Sequence, residues 1–115
     1  MTYAVTNNTE AALAEAFAEK HADIVRYVAA SKKWFVKNAD GWEPDLKLQV
    51  LYLVQATCME AAVRSGDPAL ASQLCSANFI SAVERVCRFQ PRLAATKADV
   101  GIPPPKRRVK EVGVG

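Results

Sequence analysis

A chain of 115 residues is long enough for one domain, and its net charge of +3 comes entirely from residues 101–115. Residues 1–100 are electrically neutral, which argues against a folded body that grips a phosphate backbone with a basic face. Alanine-rich composition, with glycine and proline scarce before residue 101, favours packed helices over a sandwich of short strands.

The first predicted element is a helix that follows a flexible N-terminus at residues 1–6. The polar segment 7–9 offers side-chain oxygens that can cap a helix. Beyond it, Leu13, Phe17 and Ile24 recur at helical intervals with alanines between them, and alanine is the best helix former. The sequence therefore predicts a helix that continues to about residue 25.

A β-hairpin is predicted next, at about residues 27–44. Residues 33–37 form an aromatic and β-branched run, residues 38–41 supply turn residues, and Trp42 resumes the extended pattern until Pro44 ends it. Two short extended segments around such a turn are typical of a hairpin.

Three hairpin residues are predicted to be structural. Gly41 is free to take the positive φ that the turn needs. Trp34 and Trp42 are expected to pack against the helices, because an isolated hairpin is marginal in water. The β-favouring pair Tyr27-Val28 could supply a third strand.

Two further helices follow the hairpin. A broad apolar stripe over residues 46–64 has Asp45 in position to cap it, and Gly66 is a good C-terminal stop. Asp67-Pro68 then restarts a helix, with aspartate as the cap and proline at the first helical position.

The last helix is less sharply bounded by the sequence. Either Ser76 or Asn78 marks a break before a fresh apolar face, and Pro91 ends or kinks that helix. Residues 93–95 are predicted to form one more helical turn. Three prolines and a basic run without apolar periodicity then predict a disordered tail over residues 100–115.

The predicted fold class is accordingly mainly α, with a minor α+β character. We expect a helical bundle of four to five helices over residues 7–99, with the small hairpin between the first and second helices. Three cysteines, in a chain with no Cys-x-x-Cys, predict buried free thiols and not a metal site. No cofactor is expected.

The sequence predicts a binding protein and not an enzyme. It contains no phosphate-binding glycine loop, dinucleotide fingerprint or nucleophile elbow. His21 is the only histidine, and Glu19 and Asp23 lie two residues away, where they do not face it on a helix. We expect His21 to be structural, packed where the first helix meets the hairpin.

A soluble, cytoplasmic protein is expected from the absence of targeting signals. The N-terminus lacks a basic-then-apolar signal pattern, and no apolar run approaches the roughly 20 residues that a membrane span needs. No contact with a membrane is predicted.

Basic residues supply the candidate contacts to a partner or to nucleic acid. In the hairpin, lysines lie beside aromatic residues, as they do on protein surfaces that stack the bases of single-stranded nucleic acid. Strand geometry places only some of these residues on the same face of the sheet. Three arginines at helical spacing could follow phosphates or form a solvated face, and the tail could add a weak, salt-dependent attraction. The candidates are Lys32, Lys33, Phe35, Lys37, Arg85, Arg88, Arg92, Lys106, Arg107, Arg108 and Lys110.

Three segments together carry a family resemblance. They are Phe17-Ala18-x-x-His21-x-Asp23-x-x-x-Tyr27-Val28, then Lys33-Trp34-Phe35-Val36, then Asp40-Gly41-Trp42-Glu43-Pro44-Asp45. This pattern resembles the start of the helical domain that precedes the superfamily 3 helicase in phage, plasmid and poxvirus primase–helicases. A weaker match follows over residues 76–94. The family's helicase segment is missing here, and Lys37-Asn38-Ala39 replaces its usual Trp-Asp-Gly, so the resemblance implies a replication-associated fold without the motor.

Two functional hypotheses follow. The first is an accessory module of a phage or plasmid that acts in DNA replication by docking on a helicase or primase, with weak DNA contact. The alternative is an antagonist of a host defence complex, similar to an anti-CRISPR protein, encoded by a mobile element. Its neutral body argues against a simple DNA mimic, which needs strong negative charge. Self-association and an excised fragment without a role of its own are left open.

Overall fold

The computed structural model describes residues 8–102, in which four α-helices and a four-stranded mixed sheet form an α+β fold. The four helices are α1 (Glu10–His21), α2 (Gln49–Ser65), α3 (Pro68–Leu74) and α4 (Ala77–Cys87). The four strands are β1 (Val25–Val28), β2 (Lys33–Asn38), β3 (Gly41–Pro44) and β4 (Ala94–Ala95). Two short 3₁₀ turns, Pro91–Leu93 and Ala98–Val100, flank β4.

The sheet has the strand order β3-β2-β1-β4. The predicted hairpin is confirmed as the antiparallel pair β2–β3, and Tyr27 and Val28 lie in the additional strand β1. β4 was not predicted. The turn at Pro91–Leu93 redirects the chain, and Ala94 and Ala95 then pair in parallel with β1. The helical turn predicted for residues 93–95 is therefore wrong for two of them: Leu93 ends a 3₁₀ turn, whereas Ala94 and Ala95 extend the sheet, because the free edge of β1 offers backbone partners.

Local signals set most helix ends. The Thr9 hydroxyl accepts a hydrogen bond from the Ala12 amide and caps α1. α1 ends at His21, before the predicted residue 25, since the chain must turn there to enter β1. Gly66 ends α2 at a φ of 65°, and Asp67 caps α3 through the amides of Ala69 and Leu70.

Asp45 caps α2 from an unusual distance. Its two carboxylate oxygens accept hydrogen bonds of 2.8 Å from the amides of Gln49 and Val50, four and five residues further along. The residue at the cap position itself, Leu48, supplies no side-chain acceptor. The predicted capping role of Asp45 is therefore confirmed, and the carboxylate satisfies two amides that the first turn of a helix leaves without partners.

The sheet separates two apolar clusters. The larger cluster lies between the helices and one face of the sheet, with Phe17, Val54 and Val83 among its fully buried members. The smaller cluster lies on the opposite face and contains Val28, Phe35 and Val100, with Trp42 and Ile102 packed against it. Because Val100 and Ile102 belong to this cluster, the folded part continues beyond the predicted boundary at residue 99.

Candidate functional site

An open pocket of about 360 Å³ lies where β2, the start of α2 and α4 meet. Four residues singled out from the sequence line it: Lys32, Lys33, Trp34 and Arg88. The remaining wall is made by Pro44, Asp45, Leu46, Leu48, Val50, Leu51 and Glu84. The fold therefore brings together residues from the hairpin and from the last helix that are about 50 positions apart.

A buried carboxylate forms the floor of this pocket. Glu84 is only 9% exposed, and its Oε2 accepts hydrogen bonds of 2.6 Å from Trp34 Nε1 and 2.7 Å from Arg88 Nε. Its Oε1 accepts a third, of 2.8 Å, from the Arg88 guanidinium. These bonds to Glu84 raise the pKa of Arg88 above its already high value. The positive charge of Arg88 is therefore compensated by Glu84 at the surface of the pocket.

Two aromatic rings of the sheet also contact this group of side chains. Tyr27 and Trp34 are opposite each other on β1 and β2, with ring centroids 5.0 Å apart in an edge-to-face orientation. The Arg88 guanidinium lies 5.6 Å from the centroid of the Tyr27 ring. Edge-to-face and cation–π contacts are favourable at these distances, so Arg88 is positioned by both the carboxylate and the ring.

Two strained residues lie at the rim. Lys32, at a φ of 55°, and Leu48, at a φ of 58°, are the two non-glycine residues with positive φ in the described part of the chain. Both line the pocket. Leu46 and Leu48 are 84% and 65% exposed, so two large apolar side chains stand in solvent at its edge. Backbone strain of this kind costs of order 1–3 kcal/mol and is concentrated at functional sites.

The charged side chains at the pocket differ in whether they already have a partner within the protein. The carboxylate of Asp45 is held by the helix amides, and that of Glu84 by Trp34 and Arg88. Among residues 8–102, Lys32 and Lys33 form no ion pair. The pocket therefore presents an apolar wall with a positive rim, which suits an acidic group attached to an apolar one.

Phe35, a predicted contact residue, is buried and does not lie on the surface. It is 3% exposed and lies beneath Val100 in the smaller apolar cluster. The prediction treated the outer face of β2 as solvated, but the segment that follows β4 folds across it. Lys37 remains exposed on this face, where it lies opposite Trp42 in the register of the hairpin.

The predicted alignment of three arginines is also wrong. α4 ends at Cys87, so Arg88 is its C-cap and Arg92 lies in the separate turn Pro91–Leu93. Arg85 stays exposed, but Arg88 is committed to Glu84. The helix cannot continue to Arg92 because Pro91 lacks the amide that would prolong it. The candidates of the tail, Lys106, Arg107, Arg108 and Lys110, lie outside the described residues.

Sequence reasoning missed Glu84, although a signal was present. Glu84 follows Ile80 by four residues and precedes Cys87 by three, which places it on the buried stripe of α4. An acid on a buried stripe requires donors, and a buried indole requires an acceptor. Taken together, these two requirements would have indicated a contact between Glu84 and Trp34.

His21 lies close to α2, where the charge of Glu60 acts on its ring. Its ring packs on Phe17, with centroids 4.8 Å apart. It lies near the ion pair between Lys20 and Glu60, which joins α1 to α2 over 3.1 Å. Burial, followed by the positive charge of Lys20, lowers the pKa of His21. The neutral imidazole is thus favoured, which fits a packing role.

An apolar surface lies on the outward face of α2. Tyr52, Ala56, Met59 and Val63 recur there at intervals of four, three and four residues, and all four are exposed. Val63 is 82% exposed. Nothing among the described residues covers this face, which is separate from the pocket.

Residues 8–102 contain no cluster of three or more metal-ligating side chains. None of the helices described is both long and apolar enough to cross a bilayer. Comparisons of the chain with protein-family models, with curated proteins and with solved structures find no match.

Proposed function

We propose that this protein is a non-enzymatic docking module that binds an acidic, apolar segment of a partner protein in the pocket between β2, α2 and α4. The carrying observation is the combination of Lys32 and Lys33, which have no acidic partner among the described residues, with the exposed leucines Leu46 and Leu48. An apolar side chain of the partner would fill the pocket. An adjacent carboxylate would lie between the lysines.

The buried carboxylate supports this assignment. A pocket floor fixed by three hydrogen bonds between Glu84, Trp34 and Arg88 keeps its shape without a ligand, which reduces the entropy lost on binding. Lys32 and Leu48 keep a positive φ at the rim although it costs free energy, so the surrounding structure sets their conformation.

The partner we propose is a replication helicase or primase of a phage or plasmid. Support for this class comes from the resemblance of residues 17–45 to the domain that precedes the helicase in primase–helicases.

The test is a binding measurement with two probes. The first is a fluorescein-labelled peptide in which Asp and Glu alternate with Leu and Phe, together with a version that carries Lys in place of the acids. The second is a purified superfamily 3 replication helicase, examined by co-purification and titration. We expect the acidic peptide to bind and the lysine version not to bind, and we expect the helicase to be retained.

Matched variants locate the interaction. Leu46→Ser should weaken binding about tenfold, whereas Val63→Ser, at an aliphatic residue of similar exposure on α2, should leave it unchanged. Lys32→Asn should weaken binding while Lys97→Asn does not, and asparagine tolerates the positive φ of residue 32. Equal losses from the control variants would reject the pocket. Peptide binding without helicase binding would reject the replication partner alone.

A further inference from the structure

The outer face of the sheet places one tryptophan beside two cations. Arg26 of β1 and Lys37 of β2 lie with their charged groups 5.3 Å and 5.9 Å from the centroid of the Trp42 ring. Trp42 is half-buried, its inner part resting on the cluster that contains Val100 and Ile102. Part of the Trp42 indole is therefore exposed beside two positively charged groups.

We infer that Trp42, Arg26 and Lys37 form a contact site for single-stranded nucleic acid. A base offers a π-face to the indole, and the two cations lie where phosphates beside a stacked base would pass. Arginine also stacks on base rings through its planar guanidinium. This site lies on the face of the sheet opposite the helices, and it uses none of the residues that line the docking pocket.

A neighbouring carboxylate, that of Asp99, offsets part of the charge of Arg26, although the two groups form no direct ion pair among the described residues. Asp99 lies near Arg26, but its Oδ2 accepts a 2.8 Å hydrogen bond from the Thr96 amide. Its pKa is lowered mainly by the backbone and hydroxyl of Thr96, with Arg26 a smaller cause. Arg26 itself donates to the carbonyl of Val25 over 2.9 Å, which fixes the direction of its side chain.

The folded body is neutral overall, and the cations at this face are few. The site therefore predicts a modest, salt-sensitive affinity.

The experiment is fluorescence anisotropy of the full chain with three labelled probes of equal length: oligothymidylate, oligouridylate and a DNA duplex. At low salt we expect both single strands to bind more tightly than the duplex. Trp42→Leu should weaken single-strand binding about tenfold, and Trp42→Phe, which keeps a ring, should weaken it less. Lys37→Glu should weaken it as well, whereas Lys47→Glu, outside this face, should have a clearly smaller effect.

Thermal unfolding of each variant identifies any loss that reflects misfolding, and Lys37→Glu tests the site at an exposed position outside the apolar core. Replacing the four cations of residues 106–110 with glutamine should flatten the salt dependence and leave the preference for single strands intact. Equal affinity for duplex and single strands, with Trp42→Leu unchanged, would overturn the inference. So would the absence of binding at low salt, or equal losses from Lys37→Glu and Lys47→Glu.

Discussion

The indole Nε1 of Trp34 donates a 2.6 Å hydrogen bond to Oε2 of Glu84 and thereby joins β2 to α4. The Arg88 guanidinium donates two further hydrogen bonds to the same carboxylate. A buried charge of this kind is tolerated only when its oxygens are satisfied. The pocket floor and the packing of the hairpin therefore depend on a single group of three side chains.

Trp34→Phe should destabilise the protein by about 1–3 kcal/mol, because it leaves a buried carboxylate oxygen with one donor fewer. Urea unfolding followed by circular dichroism measures the change. Trp42→Phe is the matched control, since the Trp42 indole donates no hydrogen bond to another group within residues 8–102, and the loss of stability in this variant should be smaller. Equal losses in the two variants would mean that ring size, and not the contact with Glu84, sets the cost.

Asp45→Ala should cost about 1–2 kcal/mol, because two amides of α2 lose their acceptor. Asp45→Asn keeps one acceptor oxygen and should cost roughly half as much. Urea unfolding provides the comparison, with Glu15→Ala on the exposed side of α1 as a control expected to be near neutral. A stability order in which asparagine is as poor as alanine would contradict the two-oxygen cap.

Leu48→Asn should raise the free energy of unfolding by about 1 kcal/mol, since asparagine tolerates the left-handed conformation that leucine adopts here at a cost. The same variant should weaken the proposed docking, because Leu48 forms part of the pocket wall. Leu46→Asn has the same chemistry at a residue without positive φ, and it should show no gain in stability. A gain in both variants would show that lost apolar exposure, and not relieved strain, is the cause.

Only Cys75 should react with a thiol reagent at pH 8 in the folded protein. Burial raises the pKa of Cys58 to about 11 and that of Cys87 to about 12, so both stay protonated, whereas Cys75 is exposed. Titration with a chromogenic disulfide should detect one reactive thiol in the native protein and three in the protein unfolded by urea. A Cys75→Ser variant that still reacts rapidly when folded would contradict this.

The same two thiols give stability a pH dependence. Their pKa in the folded state lies above the ordinary value of 9.0, so the unfolded chain loses these protons first as the pH rises. The free energy of unfolding should therefore fall between about pH 9 and pH 12. Cys87→Ala, compared with the parent protein, should reduce the slope over that range.

Local features of the fold were predictable from the sequence. The turn before Gly41, the stop at Gly66 and the caps at Asp45 and Asp67 each depend on residues a few positions apart, and each is confirmed. The hairpin followed from the same reasoning. These signals work because turn and cap chemistry is decided by neighbouring backbone groups.

Features that depend on distant pairing were not predictable. β4 is two alanines whose strand conformation comes only from pairing with β1, more than 60 residues earlier. The burial of Phe35 depends on the later arrival of Val100, and alternation along a strand cannot tell which face will be covered. For the same reason the sequence indicated Lys32, Lys33 and Arg88 as separate candidates. It did not indicate that they line one pocket together with Glu84.

The two outer strands of the sheet also bear on how the protein behaves when concentrated. β3 has four residues and ends at Pro44, and β4 has only two. Short edges, one of them closed by a residue without an amide hydrogen, offer little template for the strand of another molecule. Fibrillar, edge-to-edge aggregation should therefore be slow for the folded protein, which leaves its exposed helix surface as the route by which molecules at high concentration would adhere.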